Sequence, residues 1–207
     1  MRLPFAPFAL LAALASACGG AETAASGPVI RVLHPAAPPL SGESACTVTE
    51  TTDIPVSSAA HVAVCTAVSY ATNPPSGGSH WPVWAAFRKY DTPVPAEMLV
   101  HDLEHGSVAL LYRCADPCPE VVAALDAVFD AITDDGCPAG GPASRMVRAP
   151  DPDLPTPIAA AAWGATYTAT CIDHDSLLAF TKAHYRKAPE DTCADGVDVS
   201  NAGPCGD

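Results

Sequence analysis

Stretches in which apolar and polar positions alternate predict β-strands, because successive residues of a strand face opposite sides of a sheet. These stretches lie at 61–70, 107–113, 145–149 and 158–170. Gly164 marks a candidate bulge in the last of them. Apolar positions three or four residues apart predict helices at 95–106, 119–133 and 174–187. This irregular order of elements predicts an α+β fold: one compact, disulfide-stabilised domain with a mixed or antiparallel sheet packed against a few helices.

The helix predicted at 95–106 carries two histidines. Pro95 suits its first position, and Gly106 suits the left-handed conformation that commonly ends a helix. The leucines of this segment form an apolar stripe that we expect to face the core. His101 and His105 are four residues apart, so they lie about 40° from each other around the helix. We predict that both face away from that core.

Two imidazoles at this spacing can bind one metal ion. A further ligand must then come from outside the helix, and His80 is the first candidate because it lies in the Pro- and Gly-rich loop 73–82. Glu104 is a candidate fourth ligand or a residue that orients a ligand. The predicted metal site therefore consists of His80, His101, Glu104 and His105. Histidine and glutamate alone suit zinc, whereas Met98 on the same side of the helix would favour copper.

Two other interpretations stay open at this stage. The residues from His101 to His105 also fit H-x-x-E-H, the motif of inverted zinc proteases, in which Glu104 would be the catalytic base. That motif needs a longer helix than Gly106 allows. The second interpretation is a non-catalytic interaction module, in which these residues only form hydrogen bonds. The remaining histidines have no partners in the pattern and receive no role: His34, His61, His174 and His184.

The N-terminal segment indicates export. Residues 1–17 contain one positive charge, an apolar run and then small residues, which is the order of a secretory signal peptide. Cys18 at the expected cleavage point resembles the lipidated cysteine of bacterial lipoproteins, and the alternative is a soluble secreted protein. Residues 18–44 are rich in Ala, Pro, Gly and Ser, which favours a flexible tether. The folded domain is predicted at 45–207, in a lipid-anchored protein of the bacterial envelope.

Nine cysteines in an exported chain favour disulfide bonds over metal binding. Without Cys18 an even set of candidates is left, and their pairing stays open: Cys46, Cys65, Cys114, Cys118, Cys137, Cys171, Cys193 and Cys205. Cys114 and Cys118 have no second close pair, so we do not predict a metal site there. The net charge of −13 argues against binding to nucleic acid. Apart from the membrane, the sequence indicates no partner.

Several motifs together resemble a known family. They are the loop that ends in SGGSH at 76–80, LVHDLEHGSVALLY at 99–112, PIAAAAWG at 157–164 and the closing APE at 188–190. The chain is similar over about 66–190 to the bacterial envelope family called domain of unknown function 3105. The resemblance implies roles for His80, His101, Glu104, His105, Gly106 and Trp163. Gly77 and Ser79 depart from the family pattern, and the family carries no assigned activity.

Overall fold

The computed structural model describes residues 27–114, 117–133, 136–201 and 203–205. The predicted signal peptide at 1–17 and Cys18 lie outside the described residues. The strands are β1 Val29–Leu33, β2 Val48–Thr52, β3 Val108–Tyr112, β4 Met146–Pro150, β5 Ile158–Ala162 and β6 Ala165–Ala169. The helices are α1 Ala96–Glu104, α2 Pro119–Asp130 and α3 His174–His184. The three predicted helices and the strand at 107–113 are thus confirmed with shorter bounds, and the strand at 145–149 is confirmed with a shift of one residue.

The strands form one six-stranded sheet in the order β1-β2-β6-β5-β3-β4. All neighbouring strands are antiparallel except β3 and β4, which run parallel. β3 and β4 can run parallel because α2, which lies between them in the chain, returns the chain to the end of the sheet at which β3 begins. A mixed sheet with three helices confirms the α+β prediction.

Both faces of the central strands are buried, so their residues alternate between two hydrophobic clusters. Leu110 of β3 and Ile158 of β5 belong to the cluster with the apolar residues of α2 and α3. Leu111 and Ala159, the next residues along, belong to the cluster with Trp81 and the apolar residues of α1. We call these two sides the helix face and the histidine face. The histidine face is covered by α1 and by irregular chain.

The helix face follows directly from sequence periodicity. α2 begins with Pro119 at its first turn and buries Val121, Leu125 and Val128, which are spaced three or four residues apart. Burying each such side chain stabilises the fold by about 1.5–3 kcal/mol. Phe180 of α3 packs in the same cluster. The amphipathic pattern therefore accounts for this half of the core.

The strand predicted at 61–70 is wrong. This segment forms only an isolated bridge at His61 and then a turn, in which the Thr66 N–H donates to the Ala63 carbonyl at 3.0 Å. Cys65 adopts a left-handed conformation with φ +71°, which a strand cannot contain. The alternation in the sequence thus reflects chance spacing around a turn.

The bulge predicted at Gly164 is also wrong, because the chain reverses there. β5 and β6 are joined by Trp163 and Gly164, and Ala162 pairs with Ala165 directly before and after them. Gly164 has φ +70°, a conformation that glycine adopts without strain. The stretch 158–170 is therefore a tight hairpin of two strands.

The sequence pattern missed β1 and β2. β1 lies inside the predicted tether and pairs antiparallel with β2, so the tether prediction is wrong for Val29–Leu33 and the folded part begins before residue 45. Four of the five residues of β1 are exposed, and Leu33 is half-buried. Its order comes from pairing with β2, which local periodicity does not reveal. Residues 18–26 lie outside the described part of the chain.

All eight candidate cysteines pair as disulfides. The pairs are Cys46–Cys171, Cys65–Cys205, Cys114–Cys118 and Cys137–Cys193. Four disulfides are typical of a protein that folds in an oxidising, extracellular compartment. Within the described ranges, no helix has the length and apolar character needed to cross a bilayer.

Candidate metal centre

Helix α1 is buried on nearly all sides. His101 and His105 are each only 3% exposed, so they do not face solvent as an unpartnered helix face would. Irregular chain covers them, with the Trp84 ring 4.9 Å from the His101 ring and 4.7 Å from the His105 ring. Met98 is also fully buried and packs in the hydrophobic cluster of this face. Two imidazoles are thus held in the interior of the protein.

The loop 73–82, which precedes α1 in the chain, brings His80 to the same place. Gly77 and Gly78 have φ near +140°, and a Cβ on Gly77 would lie 2.7 Å from Val56, so only glycine fits there. His80 is fully buried, and its Nδ1 lies 2.8 Å from the Gly78 carbonyl oxygen. Because a carbonyl only accepts, Nδ1 carries the proton and donates it. The Nε2 of neutral His80 is then an unprotonated lone pair.

This lone pair faces a carboxylate. His80 Nε2 lies 3.0 Å from Glu104 Oε2, yet it has no hydrogen-bond partner within the described ranges. The distance suits an ion pair, but two acceptor atoms repel at 3.0 Å unless a proton or a metal cation lies between them. Glu104 is 6% exposed, so water screens this pair poorly. The geometry therefore requires either a proton or a metal cation between these two atoms.

His101 is oriented in the same way as His80. Its Nδ1 donates to the Trp81 carbonyl oxygen at 2.6 Å, which leaves Nε2 as the acceptor. Histidines that bind metals commonly donate their other ring nitrogen to a carbonyl or carboxylate, because that bond fixes the tautomer. His80 and His101 thus each have an unprotonated Nε2 that could bind a metal ion.

The fourth member of the group is His61, which the sequence analysis did not select. One ligand atom from each of His61, His80, His101 and Glu104 lies within 4.8 Å of the other three. A parallel bridge joins His61 to His80, through the Val62 N–H to the His80 carbonyl at 2.8 Å. His61 alone of the four is exposed. No local signal could have identified it, because its position depends on contact with a loop 19 residues away.

His105 lies beside this group. Its Nε2 is 3.2 Å from His101 Nε2 and 3.3 Å from Glu190 Oε2. Because a carboxylate oxygen only accepts, the contact with Glu190 indicates that His105 Nε2 carries a proton, and donation of that proton to Glu190 leaves the lone pair of His101 Nε2 available. Glu190 follows α3, and its backbone N–H donates to the Glu104 carbonyl at 3.0 Å. The sequence motif around Pro189 contained Glu190, but the candidate site did not include it.

Burial keeps the two helix histidines neutral. Desolvation lowers the pKa of His101 to about 4, with the neighbouring imidazoles adding to it and the Trp81 carbonyl opposing it. Desolvation also lowers the pKa of His105, against the attraction of Glu190. Neutral imidazole is the form that binds metals. Asp102, fully buried on the same helix, has a pKa raised well above its ordinary value by desolvation.

Two residues implied by the family motif support the site from outside. The Trp163 ring stands edge-on to the His80 ring, with centroids 6.4 Å apart. Gly106 has φ +89° and ends α1, as predicted. A Cβ at Gly106 would lie 3.0 Å from the Arg186 Cα, and the Arg186 N–H donates to the Gly106 carbonyl at 2.8 Å. A side chain at position 106 would therefore push away the chain that brings Glu190.

A buried arginine supports the same end of α1. Arg145 is fully buried, and its guanidinium donates to the His105 carbonyl at 2.9 Å and to Asp191 at 2.6 Å. Asp191 also pairs with Arg186 at 2.6 Å. These bonds lower the pKa of Asp191 to about 2. These bonds connect the segment after α3 to the C-terminal end of α1.

Fold and site define an α+β protein with disulfides and a buried histidine and glutamate group that could hold a metal ion. The chain belongs to the family described as a protein of unknown function, DUF3105, whose model matches residues 61–196, more than half of the chain. The match begins at His61 and includes all four members of the group. No curated protein and no solved structure matches the chain.

Proposed function

We propose that this protein binds one divalent transition-metal ion through His61, His80, His101 and Glu104. The observation that carries the proposal is the pair of acceptor atoms, His80 Nε2 and Glu104 Oε2, held 3.0 Å apart in the protein interior. A tetrahedral ion with bonds of about 2.0–2.1 Å has ligand atoms about 3.3 Å apart. This pair is already near that spacing.

Zinc is the ion that the donor set favours. Three imidazoles and one carboxylate suit zinc, and imidazole also suits copper. The sequence argument for copper relied on the thioether of Met98. Its packing in the hydrophobic cluster with Leu99 and Leu103 weakens that argument. Zinc is therefore the first ion to test, with copper as the comparison.

In this proposal Glu104 is a metal ligand, whereas in the hydrolase interpretation it is the catalytic base. An H-x-x-E-H base must stand free to activate a water molecule, whereas Glu104 Oε2 already faces His80 Nε2. α1 also ends at Glu104, so it lacks the longer helix that the H-x-x-E-H motif needs. His105 is occupied by Glu190 on one side, so we place it outside the ligand set, where it packs against His101.

The decisive experiment is elemental analysis of the full chain, exported to an oxidising compartment and purified without chelator or polyhistidine tag. We expect about one ion per chain, lost in His80→Ala and in His101→Ala. His34→Ala, at an exposed histidine that is not a member of the group, is the matched control and should keep the ion. Protein that stays metal-free after titration with zinc and copper would overturn the proposal in favour of the interaction module.

Two further variants separate the ligand assignments. Loss of a ligand in His61→Ala should weaken zinc binding by more than the roughly 10–100-fold cost of losing an outer partner. His105→Ala should stay within that range. Glu104→Gln should also loosen zinc if Glu104 is a ligand, whereas a variant that keeps zinc at full affinity but loses hydrolysis of a test ester or peptide would identify Glu104 as a catalytic base.

We also propose that the protein is a lipoprotein of the bacterial envelope, anchored through Cys18. The disulfides support the oxidising compartment, and the sequence order of residues 1–17 followed by Cys18 supports lipidation. Mass spectrometry of the envelope fraction should find a diacylglyceryl adduct on the N-terminal peptide. Cys18→Ala should remove the adduct and release the protein into the soluble fraction. An unmodified wild-type peptide would indicate a soluble secreted protein.

A further inference from the structure

A cavity of about 450 Å³ opens on the helix face, at the start of α2. Cys114 and Cys118 both line it, together with Glu43, Arg113, Glu120 and Pro157. The disulfide between these cysteines is thus reachable from a space large enough for a side chain of another molecule. The Nε of Arg113 is buried and has no hydrogen-bond partner within the described ranges. None of the proposed metal ligands lines this cavity.

The Cys114–Cys118 disulfide differs from the others in what it connects. It joins cysteines four residues apart, whereas the other pairs are separated by 56, 125 and 140 residues. The stabilisation of a fold by a disulfide grows with the logarithm of the loop that it closes, so this one contributes least. Its opening should therefore destabilise the fold less than the opening of any of the other three disulfides.

The two sulfurs are not equivalent. Cys118 precedes Pro119 at the start of the 12-residue helix α2, and its side chain makes no capping hydrogen bond. The positive end of a helix dipole favours a thiolate at this position. Cys118 is thus the better leaving group when an incoming thiolate attacks the disulfide at Cys114. Glu43 and Glu120 outnumber Arg113 at the cavity, so its net negative charge favours a partner with positive charge near its thiol.

We infer that Cys114–Cys118 is a redox-active disulfide that exchanges with an exported dithiol. The first thiolate of the dithiol attacks Cys114 Sγ, which forms a mixed disulfide and releases Cys118 as a thiolate. The second thiol of the partner, after losing its proton, attacks the partner's own sulfur in the mixed disulfide and releases Cys114. The partner leaves as a disulfide, and two electrons and two protons reside on Cys114 and Cys118.

Dithiothreitol serves as the dithiol probe in the test. The folded full chain is titrated with it, the free thiols are alkylated, and each cysteine is assigned by mass spectrometry. We expect Cys114 and Cys118 to react at a dithiothreitol concentration at least about 10-fold lower than Cys65 and Cys205, with an unchanged circular dichroism spectrum. The Cys65–Cys205 pair is the internal control, because both of its cysteines are exposed.

A trapping variant tests the order of attack. Cys118→Ser leaves Cys114 as the single sulfur at the cavity, and it should form a stable mixed disulfide with oxidised glutathione. The double variant Cys114→Ser/Cys118→Ser should fold with the same metal content as the wild type. Reduction of Cys114–Cys118 at the same dithiothreitol concentration as Cys65–Cys205 would overturn the inference. Reduction that occurs only when the circular dichroism signal is lost would also overturn it, because the bond would then be purely structural. A metal-free wild type would overturn the proposed function alone.

Discussion

The two faces of the sheet are built on different principles. The helix face is covered by α2 and α3, whose apolar residues follow the helical period and pack in one hydrophobic cluster. The histidine face is covered by one short helix and by irregular chain, and it buries His80, His101 and Glu104 among its apolar residues. Apolar packing stabilises the first face without further help, whereas the polar groups of the second need partners. This difference separates the parts of the protein that support the fold from those that support the site.

The largest expected effect is on the helix face. Leu125 of α2 is fully buried in the cluster of that face. Leu125→Ala should lower the free energy of unfolding by about 2–5 kcal/mol, because it removes apolar contacts and leaves a cavity. Denaturant unfolding measures the loss, and the zinc content of the folded fraction should not change. Leu178→Ala, at a half-buried leucine of α3, should cost less. A loss of zinc in Leu125→Ala would show that the two faces are not independent.

The histidine face should gain stability from metal. At a free zinc concentration 100 times the dissociation constant, the wild type should gain about 2.7 kcal/mol relative to protein in chelator. The double variant His80→Ala/His101→Ala should lack this increment, whatever its stability in chelator, while His34→Ala keeps it. Thermal unfolding with and without zinc gives both values. An equal increment in the double variant would place the zinc site elsewhere.

A smaller effect concerns the ion pairs beneath His105. Asp191→Asn removes the carboxylate partner of the buried Arg145, and we expect a loss of about 1 kcal/mol near neutral pH, because Asp191 itself is half exposed. The pKa of Asp191 is lowered from 3.8 to about 2 in the folded protein. Its stabilisation is therefore present above pH 4 and is lost as the pH falls toward 2.

Unfolding curves of the wild type and Asp191→Asn should accordingly converge between pH 4 and pH 2. Asp175→Asn is a suitable control, since the Asp175 side chain is fully exposed on α3. A stability difference that stays constant over this range would mean that Asp191 acts through packing and not through charge.

Sequence patterns predicted the helix face better than the histidine face, for a physical reason. The period of α2, with Pro119 at its start, depends only on residues close in the chain. Gly106 likewise marks the end of α1 through its own backbone freedom. His61 lies beside His80, His101 and Glu104 only because a bridge pairs it with His80. β1 likewise exists only through its pairing with β2.

The orientation of the site residues was also beyond the sequence. The spacing of His101 and His105 placed them on one side of a helix, but their burial depends on irregular chain that carries Trp84 and Glu190. Their spacing alone suggested that both bind the ion. The bond from His101 to the Trp81 carbonyl and the contact of His105 with Glu190 give the two histidines different surroundings. Such bonds come from residues distant in sequence, so periodicity does not report them.

The Cys65–Cys205 bond has a consequence for how the site matures. Cys65 lies four residues after His61, and its partner follows 140 residues later in the chain. Because chains are made from the N-terminus, this bond cannot form until the chain has been synthesised as far as Cys205. Until then, the turn after His61 lacks its covalent anchor. The native disulfide therefore closes last among the contacts of this turn, because it can form only once nearly all of the described domain has been made.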